Sequence, residues 1–323
     1  MNKKIFIDHP IPDRGFKLLQ AKGYEVVMDS KDHIRGTDDV SADMKGKNYD
    51  ALLTLLSDKI DAKLFDAAGP QLKIVANYAV GYDNIDIIEA KRRGIMVTNT
   101  PDVLNESVAE HTFALMLSIA HRIVEADKFM RAGKFQGWMP KLLLGTDLSH
   151  KILGVVGLGR IGQRVVENGA RGFNMSVIYH DIKRNEDFEK EFNAVYKDKI
   201  EDLLKEADFI SLHVPLLPST KHLIDANRLN LMKNTAYLIN TSRGPVIDEK
   251  ALVEALEAQK IKGAALDVFE NEPEMAKGLS ELDNVIVTPH IASATEETRQ
   301  KMSETAAKNI IAALEGKTPP NLL

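Results

Sequence analysis

Five short apolar runs in the second half of the chain each end in a residue able to do chemistry. They deliver Asp181, then His213-Val214-Pro215, then Asn240-Thr241-Ser242-Arg243-Gly244, then Asp267, and finally Thr288-Pro289-His290. In an open α/β sheet, ligands sit beyond the carboxyl ends of the strands, so acid, imidazole and guanidinium arriving at successive ends describe a functional edge. A planar guanidinium such as Arg243 clamps a carboxylate bidentately. An imidazole such as His290 moves a proton near neutral pH, and works best with a carboxylate beside it that holds its tautomer. Glu272, just past the run ending at Asp267, is the candidate carboxylate. Together the three could bind a small acid and protonate or deprotonate an oxygen on it.

A glycine turn says what else lies on this edge. Ile152-Leu153-Gly154-Val155-Val156 reads as a buried strand; Gly157-Leu158-Gly159-Arg160-Ile161-Gly162 follows, and an apolar-periodic helix is expected over 161–170. Gly157 allows the tight turn, Gly159 a close approach to a pyrophosphate, and Gly162 close packing of helix on strand. The helix N-terminus offers free N–H groups and partial positive charge to the phosphates. A second β-rich run, 176–180, ends at Asp181, 19 residues after Gly162 and placed to accept from ribose hydroxyls. The carboxylate repels a ribose 2′-phosphate and so favours NAD, while Lys183 and Arg184 keep NADP possible.

The elements that must position these groups alternate strand and helix. Strands are expected at 5–7, 24–28, 51–55, 73–76 and 96–98, and again at 152–156, 176–180, 209–212, 236–239, 264–266 and 285–287, with helices between them. This predicts parallel sheets covered by helices. Thr100-Pro101 is a candidate domain boundary. After it a single long helix is expected over 107–130, opened by Ser107-x-x-Glu110 as a capping box. That helix is apolar on more sides than a surface helix needs, which predicts burial between domains or between subunits. A loop over 133–148 holds the sole tryptophan, Trp138, and a last helix is expected over 295–314.

Composition excludes several classes. The 323 residues suggest two domains, and 44% hydrophobic with 28% charged residues is ordinary for a soluble protein. A net charge of −5 makes no case for nucleic acid or an anionic membrane. The absence of cysteine rules out disulfides and thiolate metal sites and fits a reducing cytoplasm. The N-terminus, Met1-Asn2-Lys3-Lys4, opens no signal-peptide pattern, and no apolar run approaches the roughly 20 residues of a membrane span. No His/Asp/Glu cluster shows metal-ligand spacing along the sequence. His213 and His222 read as structural histidines, and His111 and His121 as packing or surface residues.

Several of these stretches resemble one family, the D-isomer-specific 2-hydroxyacid dehydrogenases. The run from Leu238 to Asp248 is similar to that family's arginine motif, Ala265 to Pro273 to its glutamate motif, and Thr288 to Thr295 to its histidine motif. Val80-Gly81-Tyr82-Asp83-Asn84-Ile85-Asp86 and Ser107-Val108-Ala109-Glu110 extend the likeness over nearly the whole chain. The resemblance implies two doubly wound parallel-sheet α/β domains. A flavodoxin-like substrate domain, 1–100 completed by 291–323, would hold an inserted Rossmann NAD-binding domain, 101–290. It implies a catalytic set of Arg243, Glu272 and His290, and a cofactor set of Gly157, Gly159, Arg160, Ile161, Gly162, Asp181, Val214, Pro215, Thr241, Asp267 and Ser293. Asp267 would hold the nicotinamide carboxamide. Val80 and Gly81 would bind the substrate carboxylate through backbone N–H groups, sharing it with Arg243, and the His290–Glu272 pair would donate the proton, with His290 and Trp138 also meeting the substrate.

Residues 137–145 are similar to the corresponding loop of the glyoxylate/hydroxypyruvate reductase subgroup, in which the tryptophan reaches the partner's active site; the alternative for Trp138 is a dimer-core anchor. The expected activity is NAD(P)H-dependent reduction of glyoxylate or hydroxypyruvate by a cytoplasmic homodimer. Phosphoglycerate and D-lactate dehydrogenases share the triad and stay open. Corepressors of the C-terminal-binding-protein type also resemble the family, which leaves an NAD-sensing scaffold as the reading from a different class.

Overall fold

In the computed structural model, which describes residues 3–30 and 36–323, the chain forms two compact units. Unit 1 is Met1–Leu104 with Ala294–Leu323, and unit 2 is Asn105–Ser293. Met1 and Asn2, which enter the reading of the N-terminus above, lie outside the described residues.

Unit 1 holds β1 (Lys4–Ile7), β2 (Glu25–Met28), β3 (Ala51–Thr54), β4 (Ile74–Asn77) and β5 (Met96–Thr98). All pair in parallel, in the order β2-β1-β3-β4-β5. The strands are short and β-branched, and β3 and β4 are buried along their whole length, as a parallel sheet covered on both faces requires. The chain leaves this unit after Leu104 and returns as the helix Glu296–Leu314, N-capped by Thr295 Oγ1 from the Thr298 N–H. That helix lies directly on the first helix, Asp13–Ala21. A Cβ at Gly15 would run into the Ser303 carbonyl, and the Gly15 N–H donates to Ser303 Oγ at 3.1 Å. The last residues close onto β5, where the Leu323 N–H donates to the Val97 carbonyl.

Unit 2 holds β6 (Ile152–Val156), β7 (Ser176–His180), β8 (Val195–Tyr196), β9 (Phe209–Leu212), β10 (Tyr237–Asn240), β11 (Gly263–Leu266) and β12 (Val285–Val287). Their order is β12-β11-β10-β9-β6-β7-β8, again all parallel. The order reverses between β6 and β9, so the crevice where ligands bind opens at the carboxyl ends of those two strands. β8 and the helix Glu186–Phe192 that leads to it fall in a polar stretch whose periodicity the sequence reading did not register.

The long helix expected over 107–130 is two helices, Asn105–Ala120 and Ile123–Arg131. The first begins before Ser107, so the Ser107–Glu110 pair lies inside it and is no N-terminal capping box. The break falls at Arg122, which is left-handed at φ 56° and whose guanidinium turns back onto Glu125 at 2.7 Å. Backbone from a distant loop caps the freed helix end: the Thr146 N–H donates to the Ala120 carbonyl, and Gly145 approaches too closely to tolerate a Cβ. Nor does the first helix need another domain or subunit to cover it. Ala109, Phe113, Leu115, Met116 and Ile119 share one core with Leu153, Val155, Phe209, Ile239 and Ala265 of its own sheet. Burial of this kind is worth about 25 cal/mol per Å² of apolar surface and holds the helix within unit 2.

Candidate active site

Beneath the functional edge the glycine turn is built as its residues require. Gly157 sits at φ 94°, and a Cβ on it would stand 2.7 Å from the His213 carbonyl oxygen, so the ends of β6 and β9 meet there backbone to backbone. Val214, next along, is the side chain closest to that position, with Pro215 following it. A Cβ at Gly159 would meet nothing within 4 Å, which is the open space a phosphate needs, whereas one at Gly162 would collide with the Gly157 carbonyl. The helix Arg160–Glu167 starts at this turn with no side chain capping it. Its first N–H groups therefore stand ready for an anion. Arg160 is exposed there, while Ile161 packs partly buried on the core. The helix ends earlier than expected and widens into a looser turn, Asn168–Gly172. A Cβ at Gly169 would stand 2.6 Å from the Leu153 side chain.

Asp181 arrives at the end of β7 and faces back across the turn. Its Oδ2 accepts from the Leu158 N–H at 2.6 Å and its Oδ1 from the Lys183 N–H at 3.1 Å. The carboxylate is thus fixed beside the glycine loop by two backbone donors, the placement a ribose-binding acid requires. Arg184, weighed above as a partner for a 2′-phosphate, is engaged elsewhere. It forms a two-pronged pair with Glu189 at 2.7 and 2.9 Å and stacks over Tyr196.

The candidate acid/base pair comes from the ends of β11 and β12. His290 Nδ1 lies 2.9 Å from Glu272 Oε2, and Glu272 Oε1 accepts from the Phe269 N–H at 3.0 Å. The glutamate is therefore anchored to the loop that follows β11, and orients the imidazole by its Nδ1 side. His290 adopts a left-handed conformation, φ 53°, held by its N–H bond to the Asp267 carbonyl at 2.9 Å. The ring keeps 26% of its side chain exposed and Glu272 34%, so the pair is open to a ligand.

Arg243 follows β10 in a turn fixed by Asn240, whose Oδ1 accepts from the Ser242 N–H and hydroxyl and whose Nδ2 donates to the Arg243 carbonyl. The Arg243 guanidinium donates to the Ser242 carbonyl of its own turn at 2.8 Å. Thr241 is buried and pairs with Thr112 through their hydroxyls at 3.0 Å.

Asp267 is enclosed, at 0% exposure. Its Oδ1 accepts from Thr288 Oγ1 at 2.6 Å and the Ile291 N–H at 2.9 Å, and its Oδ2 from the Ala292 N–H at 2.8 Å. Burial works to raise its pKa, but hydrogen bonds from His111, Thr288 and the two backbone N–H groups prevail and hold the carboxyl below its ordinary range. In this arrangement Asp267 braces the turn that carries His290. A carboxamide donor has acceptor capacity to meet at Oδ2, whose hydrogen bond on the protein side is the one from the Ala292 N–H. Ser293, at the end of that turn, is half-buried.

Two residues that sequence reasoning passed over belong here. His111 was expected to pack or lie on the surface, but its Nε2 stands 3.2 Å from Thr288 Oγ1 and 3.5 Å from Asp267 Oδ1. It shares the inward face of its helix with Val108 and Leu115, the one signal that could have drawn it in. Glu249 is buried and grips both sides of the glutamate loop, accepting from the Glu270 N–H at 3.1 Å and the Ala276 N–H at 3.2 Å. The doubtful histidines have structural partners. His213 bonds Ser211 Oγ at 2.7 Å, and burial pushes its pKa down to about 3, so its ring is uncharged at neutral pH. His222 pairs with Glu270 at 2.6 Å.

In unit 1, Val80 and Gly81 follow β4 with their peptide planes set by asparagines. The Val80 carbonyl accepts from Asn99 Nδ2 at 2.8 Å and the Gly81 carbonyl from Asn77 Nδ2 at 2.7 Å. Trp138 lies in unit 2 on the surface, 83% exposed.

The chain is similar to known proteins along its whole length. Residues 113–292 match the model of the NAD binding domain of the D-isomer specific 2-hydroxyacid dehydrogenases. The chain is 50% identical to a glyoxylate reductase of Thermococcus litoralis, over 100% of this chain and 97% of that one. It is 49% identical to a glyoxylate reductase of Pyrococcus horikoshii, over 100% and 96%. Among solved structures it is similar to a D-lactate dehydrogenase from Aquifex aeolicus complexed with NAD and lactic acid, with TM-score 0.86, 33% identity and 99% of both chains covered. An NADPH-dependent glyoxylate/hydroxypyruvate reductase from Sinorhizobium meliloti, in complex with NADP and malonate, matches with TM-score 0.87 and 32% identity over 100% and 97%. With a glycine turn, an acid fixed beside it and a histidine–glutamate pair on one sheet edge, and with identity of this extent along its whole length, the chain belongs to the D-isomer specific 2-hydroxyacid dehydrogenases, NAD(P)-dependent oxidoreductases.

Proposed function

We propose that this enzyme reduces glyoxylate or hydroxypyruvate to the corresponding D-2-hydroxy acid, with NADH preferred over NADPH. The observation that carries the reading is the 2.9 Å contact between His290 Nδ1 and Glu272 Oε2 on an edge that also presents Arg243. A nicotinamide held at the glycine turn and Asp181 would supply the hydride. Arg243 holds the substrate carboxylate and orients the 2-oxo group. As charge gathers on the carbonyl oxygen, His290 gives it the proton. Glu272 keeps the ring in the tautomer that makes this transfer possible and stabilises the imidazolium before it. The small substrates follow from the curated relatives, which are glyoxylate reductases. The cofactor preference follows from Asp181, fixed at the glycine loop, and from Arg184, committed to Glu189. Val80 and Gly81 are assigned to the substrate carboxylate from their motif, in keeping with their anchored peptide planes.

The enzyme is proposed to act as a cytoplasmic homodimer. Among the described residues no helix is long and apolar enough to cross a membrane. Ile123, Val124, Met130, Phe135, Trp138, Met139 and Leu144 are large apolar side chains exposed within one stretch of unit 2, more than a monomer normally leaves uncovered. A second copy is the simplest cover for them, with Trp138 at the interface.

Initial rates with NADH and NADPH across glyoxylate, hydroxypyruvate, pyruvate and a bulky 2-oxo acid test the reading. The highest kcat/KM is expected on one of the first two with NADH. Preference for pyruvate would move the assignment to a lactate-type enzyme, and no turnover with any of them would leave the scaffold reading. Sedimentation at micromolar concentration should show a dimer; a species of ~36 kDa would exclude it.

A further inference from the structure

A second group of chemically capable side chains gathers in unit 1. The chain leaves β1 into Asp8 and His9, and leaves β3 into a turn that carries Asp58. β1 and β3 are neighbours in the order β2-β1-β3-β4-β5, and the order reverses between them. Their carboxyl ends therefore flank the switch-point crevice of this sheet, where open α/β folds bind ligands.

There, His9 Nδ1 lies 3.1 Å from Asp8 Oδ1 and 3.7 Å from Asp58 Oδ2. One donor atom from each of the three lies within 4.8 Å of the others. A divalent ion about 2.0–2.4 Å from each of its ligands holds neighbouring donors roughly 3–4 Å apart, so the spacing suits coordination. All three residues are buried, with His9 alone, at 7%, reaching the surface.

Asp58 itself points to a ligand. Its Oδ2 accepts from Thr54 Oγ1 at 3.1 Å and from the Leu55 N–H at 3.2 Å, which fixes the carboxylate in one orientation. Its Oδ1 is buried with no hydrogen-bond partner among the described residues, and the Asp8 carboxylate and the His9 ring are charged or titratable neighbours of the Asp58 carboxyl. A buried carboxylate oxygen left unmatched beside a second carboxylate is costly unless positive charge reaches it.

We propose that Asp8, His9 and Asp58 form a divalent-metal site that ties the loop after β1 to the turn after β3. Two carboxylates offset the ion's charge, and the single imidazole favours Mn²⁺ or Zn²⁺ over Mg²⁺ and Ca²⁺, which take all-oxygen sets. Thr54 and the Leu55 N–H orient Asp58 from behind, as groups outside a metal's ligands commonly do. The site needs no sequence spacing of its own: Asp8 and His9 are adjacent, and the fold brings Asp58 to them. The rival arrangement is a proton shared by the two carboxylates, since burial and the Asp8 charge push the Asp58 carboxyl up to about 7.

The test uses untagged, full-length protein stripped with a chelator and titrated calorimetrically with MnCl₂, ZnCl₂, MgCl₂ and CaCl₂. Electron paramagnetic resonance of Mn²⁺ gives an independent count. Wild type should bind about one Mn²⁺ or Zn²⁺ per chain, with a rise in thermal midpoint. Asp58→Asn and His9→Gln should each weaken binding about 10-fold or more, and circular dichroism and NADH binding in unit 2 check that both variants are folded. Absence of stoichiometric binding by wild type overturns the proposal whether or not a variant folds. So does binding that is undiminished in both variants. Wild type that ignores all four ions, but loses stability through neutral pH in a way Asp58→Asn abolishes, assigns the cluster to the shared proton instead.

Discussion

Gly244 is pressed against Phe269 so closely that a Cβ on the glycine would overlap the Phe269 carbonyl group. The turn that carries Arg243 and the loop that carries Glu272 therefore meet as bare backbone. Phe269 in turn donates its N–H to Glu272. The position of Arg243 and that of the Glu272–His290 pair are set against each other by this contact.

Gly244→Ala should accordingly damage catalysis more than folding. Forcing the two segments apart costs about 1–3 kcal/mol of stability. It should lower kcat by an order of magnitude or more, because positioning errors near 1 Å cost roughly 10²-fold. Thermal denaturation and steady-state kinetics on the same preparation check this. A variant with wild-type kcat would show that the contact does not set the geometry.

His290→Gln keeps a hydrogen-bond donor and removes the transferable proton. It should cost about 10²–10⁴-fold in kcat and leave NADH affinity nearly intact. Glu272→Gln should cost less, since the ring keeps an acceptor but loses the stabilising charge. A His290→Gln enzyme within a few-fold of wild type would end the assignment.

Asp181→Ala should raise the NADPH/NADH ratio of kcat/KM by about 1–3 kcal/mol, the size of a charge repulsion relieved near a surface. It should also weaken both cofactors somewhat, because the Leu158 N–H in the glycine loop loses its acceptor. An unchanged ratio would show that the carboxylate does not face the ribose.

Asp267→Asn tests the brace beneath His290. Asparagine must turn an NH₂ toward donors from Thr288, Ile291 or Ala292, at a cost of about 1–3 kcal/mol at pH 7. Because the folded-state pKa of Asp267 is depressed, its contribution is present above the unfolded value of about 3.9 and is lost as pH falls through the lower, folded one. The gap in thermal midpoint between wild type and variant should therefore be full at pH 6–7 and close below pH 4. A gap independent of pH would mean that the carboxylate's charge is not what the turn uses.

Much of this was legible along the chain. Parallel strands buried on both faces show up as short β-branched runs, and each run ends where a ligand can be met, so Asp181, Arg243, Asp267 and His290 announce themselves by position alone. Glu272 reads as part of the same edge because it follows β11 closely. The glycines at 157, 159 and 162 state in three residues both a strand end and a phosphate site. All of these signals are local.

What the tertiary structure decided is what depends on residues far apart in sequence. Periodicity continued the helix through Arg122, because nothing nearby reveals that Gly145 and Thr146 will cap Ala120. His111 carried only a helical phase until β11 and β12 set Asp267 and Thr288 against it. Glu249 lies in a helix's first turn, a favourable place for charge. Only the fold shows it buried, holding both sides of the loop that carries Glu272. Asp8, His9 and Asp58 are polar residues at two separate strand ends until β3 pairs beside β1. The chain encodes each element through patterns of a few residues, whereas the pairing of elements depends on sheet order and backbone approach, which no short window of sequence contains.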